Sequence, residues 1–130
     1  MLDDRQIAVR RPLWIALSEL WLDTELSRAD LERIARIMAD SGLSVDQLRE
    51  VYLVEVAPVV YSNLLCVAGE WVGFDEDWLC SSIIRNLNDR PLRVRFLAWC
   101  FVTRGRMVYA TDRHWKTLVT LVNALREKLD

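Results

Sequence analysis

The chain has 130 residues, 52% hydrophobic and 28% charged, with a formal net charge of -2 and only four Gly and three Pro. That length supports one domain able to bury roughly two thirds of its unfolded surface without staples, and the balance excludes disordered and collagen-like classes. A charge so close to zero dictates no partner.

Residues 1–10 read as a polar, flexible lead-in, leaving 11–130 as a single helical domain. The opening MLDDRQIAVRR lacks the apolar core and cleavage site of a signal peptide, and no apolar run approaches the roughly 20 residues of a membrane helix, so a cytoplasmic protein is expected. Arg11-Pro12 then predicts a helix over 12–23, because proline is tolerated at the first helical position. Leu13, Leu17, Leu20 and Trp21 recur at helical spacing, with Trp14 and Ile15 widening the stripe.

The next starts share one grammar: an apolar residue, a capping residue, three spacers, an apolar residue. Leu26-Ser27 with Leu31 predicts a helix over 28–41, and Leu43-Ser44 with Leu48 another over 45–56, where Gln47 completes a capping box. Gly42 supplies the left-handed turn between them. Pro58 removes a donor inside an apolar run, so a break or kink is expected at Glu55–Ala57, with a fresh helix over 58–67. Gly69 and Gly73 then bracket a compact turn.

Phe74-Asp75 with Leu79 predicts a helix over 76–88, whose inner face is Leu79, Ile83, Ile84 and Leu87. Asp75, Glu76 and Asp77 fall in its first turn, where the helix dipole favours negative charge. Residues 91–110 fit a helix led by Pro91, but Leu92 to Phe96 also alternate like a strand and Thr103 to Arg106 would turn a β-hairpin. A last helix over 112–129 carries Trp115, Leu118, Val122, Leu125 and Leu129. The expected fold is therefore all-α, a single-domain orthogonal bundle of about six or seven short helices.

Candidate chemistry is sparse. Cys66, Cys80 and Cys100 form no close pair and sit in apolar runs, which reads as buried free thiols. His114 is the one histidine and has no paired spacing for a metal, so no metal site and no cofactor are expected. No nucleophile motif or phosphate-cradling loop occurs, which points away from an enzyme. Glu55 lies between apolar residues and is expected to pair with an arginine or to accept N–H bonds, because a lone buried carboxylate is costly.

Six Trp exceed what a core this size requires, and tryptophan is enriched at interface hot spots. Trp71 and Trp78, flanked by Glu70, Asp75, Glu76 and Asp77, form the candidate partner-binding patch. A protein-interaction module is the leading reading, and an immunity protein that binds and neutralises a cognate toxin is one form it takes. The alternative is a nucleic-acid-binding or regulatory protein that uses the basic arc of Arg85, Arg93, Arg95, Arg104, Arg106 and Arg113, interleaved with aromatics such as Phe96 and Trp99. A third is a small enzyme with a carboxylate site at Glu55 and Glu70, near His114.

Two stretches, Trp14-Ile-Ala-Leu-Ser-Glu-Leu-Trp-Leu-Asp-Thr24 and Glu55-Val-Ala-Pro58 continued through Asn63-Leu-Leu to Gly69-Glu-Trp-Val-Gly-Phe-Asp-Glu-Asp-Trp-Leu79, resemble a family of short uncharacterised bacterial proteins. The resemblance covers about the first two thirds of the chain and weakens after Asp89. It implies a bacterial cytoplasmic protein and carries over no catalytic residue or cofactor.

Overall fold

The computed structural model describes residues 2–22, 26–60, 76–88 and 111–129. Among them every regular element is helical, so the all-α class holds. The expected helix beyond residue 60, the glycine-bracketed turn and the ambiguous stretch 91–110 lie outside the described residues.

Helix α1 spans Asp4–Leu22, eight residues earlier at its start than Pro12 implied, so most of the polar lead-in belongs to the fold. Its start is fixed by a reciprocal capping box. Asp3 Oδ1 accepts from the Gln6 backbone N–H at 2.8 Å, and Gln6 Oε1 accepts from the Asp3 N–H at 3.0 Å. The spacing Asp-x-x-Gln announced this start, while Arg11-Pro12 drew attention to a later one. Pro12 stands inside the helix on its exposed side, where water can satisfy the carbonyl left without a donor. Leu13, Trp14, Ala16, Leu17, Ser18 and Leu20 are all buried, so α1 is enclosed over much of its circumference.

Helix α2, Arg28–Asp40, follows a full capping box in which Ser27 and Asp30 exchange bonds, and it buries Leu31, Ile34, Ala35 and Met38 as the spacing predicted. Ser41 closes it through bonds to the Met38 carbonyl, and Gly42 turns the chain at φ 78°. A Cβ there would meet nothing within 4 Å, so backbone conformation alone calls for glycine.

Helix α3, Val45–Glu50, begins with the expected Ser44–Gln47 box. Of the anticipated break or kink at Glu55–Ala57, the break does not occur, and the helix changes type instead. Val51–Val56 continue as a π-helix, and residues 57–60 remain helical through Pro58. The reason is burial: Glu55 through Val60 are all buried, and a break there would leave carbonyls without partners away from water. Widening the turn keeps the ladder in use, with the Ala57 N–H donating to the Tyr52 carbonyl five residues back. It also relieves the clash that the proline ring would make with the carbonyl four residues earlier in an α-helix.

Helix α4, Glu76–Asn88, buries Leu79, Cys80, Ile83 and Asn86, while Ile84 and Leu87 are only half-buried. The inner face is thus rotated from the expected one towards Cys80 and Asn86. Helix α5, Asp112–Leu129, buries Trp115, Leu118 and Val122, and its principal neighbour is α2. Arg126 of α5 sends its guanidinium to the carbonyls of Met38, Ala39 and Leu43, capping the end of α2 from outside. Tyr52 of the π-helix stacks with Trp21 of α1 at 5.3 Å and with Trp115 of α5 at 4.5 Å between ring centroids.

Candidate interaction surface and the buried carboxylate

At the start of α4, Glu76, Asp77 and Trp78 are exposed, and the next two residues, Leu79 and Cys80, are buried. The two core anchors set the helix rotation that turns the three preceding side chains outward. Trp78 keeps 42% of its surface exposed, an unusual state for so large an apolar side chain. Asp77 is engaged on one side: its Oδ1 accepts from Arg11 Nη2 at 2.6 Å, tying this helix start to α1. That bond is the main cause that raises the Arg11 pKa further above its ordinary value. The structure therefore places Glu76, Asp77 and Trp78 together. Glu70, Trp71 and Asp75, the remaining members of the predicted patch, lie outside the described residues.

Of the basic arc, Arg85 is exposed on α4 and Arg113 on α5, whereas Arg93, Arg95, Arg104 and Arg106 lie outside the described residues. Their convergence into one surface is therefore not part of the described structure.

The carboxylate of Glu55 is buried, as its apolar neighbours implied, and it has the partners such a group requires. Trp14 donates its indole N–H to Glu55 Oε1 at 2.8 Å, and Arg10 brings Nε to within 3.5 Å of the same oxygen. The arginine contact is electrostatic only, because the Arg10 Nε–H is buried without a hydrogen-bond acceptor. Sequence reasoning anticipated an arginine but missed which one, since Arg10 lay in the stretch read as lead-in. His114 is buried in the first turns of α5, and among the described residues no hydrogen bond joins it to Glu55. Glu70, the third member of the conjectured carboxylate site, lies outside the described residues.

Two further groups are set by burial. Cys80 is a free buried thiol whose pKa is pushed up, mainly by desolvation. Tyr52 exchanges a hydroxyl hydrogen bond with Thr111, and burial pushes its pKa up to about 12. Among the described residues no group of three or more His, Cys, Asp or Glu is arranged to hold a metal, and no helix is long and apolar enough to cross a membrane.

Fold and surface together define a small all-α protein with an exposed acid-and-tryptophan helix start and a buried glutamate met by a partly buried arginine. The chain belongs to the family described as a domain of unknown function (DUF7079), whose model matches residues 8–121. The match reaches well into α5, beyond the first two thirds of the chain that carried the resemblance. No curated protein and no solved structure matches the chain.

Proposed function

We propose that the protein is a non-enzymatic interaction module whose contact surface is centred on the start of α4. The observation that carries this reading is Trp78, 42% exposed beside the exposed carboxylates of Glu76 and Asp77. An indole offers a large rigid contact area, and the adjacent acids steer a cationic partner and set its orientation. A bacterial toxin with a basic active-site surface has the complementary chemistry, so an immunity protein is the form of module that suits this patch. A cytoplasmic setting accords with that role.

The test is affinity capture from the native cell lysate with the wild-type chain, Trp78→Ala, Glu76→Lys and, as a control on another helix, Arg113→Gln. The expected result is a partner retained by wild type and Arg113→Gln and lost from both α4 variants, with the helical circular dichroism of all four unchanged. A partner captured equally by all four overturns the proposed surface.

A further inference from the structure

The surface where α2 meets α5 carries a second, unrelated feature. Arg28, Glu32 and Arg36 follow one another at helical spacing on α2, and with Lys128 of α5 they rim a groove of about 380 Å³. Its floor is apolar, with Leu121 and Leu125 half-buried against the core. Glu32 is already committed, since its carboxylate lies 3.3 Å from Arg28 Nε. Arg33, next on the same helix, turns away to Glu19 of α1 at 2.9 Å. Among the described residues Arg36 and Lys128 have no ion-pair partner, so the rim holds three cations against one carboxylate. The walls are held in place by Arg126, whose bonds to the carbonyls at the end of α2 lock α5 against it.

We propose that this groove binds a small amphiphilic anion, with an anionic head between Arg36 and Lys128 and a short hydrocarbon body on Leu121 and Leu125. Apolar floor and cationic rim recognise different halves of such a molecule, so neither half alone binds well. The site is separate from the start of α4 and stands or falls independently of the interaction-module reading.

The full-length protein is titrated with octyl phosphate, inorganic phosphate, octanol and phosphatidic acid vesicles, and backbone amide shifts of residues 28–36 and 121–128 are followed by NMR. Octyl phosphate is expected to move these amides saturably, and inorganic phosphate and octanol to do so only weakly. Arg36→Gln and Lys128→Gln should each weaken octyl phosphate about five- to tenfold, with the loss shrinking as salt is raised. Glu32→Gln should tighten it about twofold by removing the one carboxylate that the described residues place on the rim. Ala124→Leu, which fills the groove from an exposed position, should abolish binding while leaving the thermal midpoint unchanged. No shift at these amides overturns the site. Equal binding of inorganic phosphate reduces it to a surface ion contact, equal binding of octanol to an apolar crevice, and binding of vesicles without octyl phosphate to a membrane-facing surface; each of these overturns the proposal.

Discussion

Arg10 and Arg11 are neighbours in sequence and each meets a carboxylate from a distant part of the chain, yet the two pairs belong to different physical regimes. Arg11 meets Asp77 at 2.6 Å in the open, with side chains 44% and 83% exposed. Arg10 meets Glu55 at 3.5 Å with 16% and 8% exposed. The shorter contact is the weaker contributor, because water and salt compete for both of its partners. The longer one lies in lower-dielectric surroundings and is expected to be costlier to break, since the Glu55 carboxylate is buried and the Arg10 guanidinium has little access to water. Burial, and not distance, is therefore expected to rank the two pairs.

The sharpest way to break this comparison is Glu55→Ala. It strips the largely buried Arg10 of its counter-charge and leaves the Trp14 indole N–H without an acceptor, and should cost about 3–5 kcal/mol of unfolding free energy in urea titrations. Glu55→Gln, which keeps an acceptor for Trp14, should cost less. If both variants melt with wild type, the buried pair is not the stronger one.

Arg126→Ala should cost about 1–2 kcal/mol by removing the donor that caps α2 from α5, and it should speed amide exchange at residues 38–43 first. Its cation is only half-buried, so the effect should fall between those of the two arginine pairs.

Tyr52→Phe removes one hydroxyl bond and should cost about 1 kcal/mol at neutral pH. Its pH dependence is more informative. The phenol titrates at about 12 in the folded state against 10.0 for an ordinary tyrosine, so the fold favours the protonated form. That contribution is fully present below pH 10 and is lost as the pH rises towards 12. The wild-type melting temperature should therefore fall more steeply across this window than that of Tyr52→Phe, and parallel curves would remove burial as the cause of the shift.

The smallest effect is expected for Arg11→Gln, whose melting temperature should lie within error of wild type at physiological salt. A clear loss there, comparable to that of Glu55→Ala, would reverse the ranking of the two pairs.

Much of the helical framework was legible in local chemistry. Ser27 and Ser44 announced their helices because a capping side chain bonds a backbone donor three residues on, an interaction that needs nothing from the rest of the chain. Gly42 was legible for the same reason. The α1 start was equally local, written in Asp3 and Gln6, and was passed over in favour of a proline that the exposed face of the helix tolerates. Pro58 misled differently. Its cost was read correctly, but the response to that cost depended on surroundings the local sequence does not display. Of the candidate surface, Trp78 was singled out by the sequence as a candidate, whereas the tie from Asp77 to Arg11 joins residues 66 apart and leaves no local trace.

The amino-acid order by itself determined the helical class, most of the helix starts and the need of Glu55 for a partner, because caps, periodicity and the cost of burying charge all act within a few residues. Only the tertiary structure decided that Arg10 and Trp14 would be the partners, that the helix would widen through Val51–Val56 instead of breaking, and that Arg126 would close a helix other than its own. These outcomes depend on which surfaces exclude water, and that is settled when distant segments pack together.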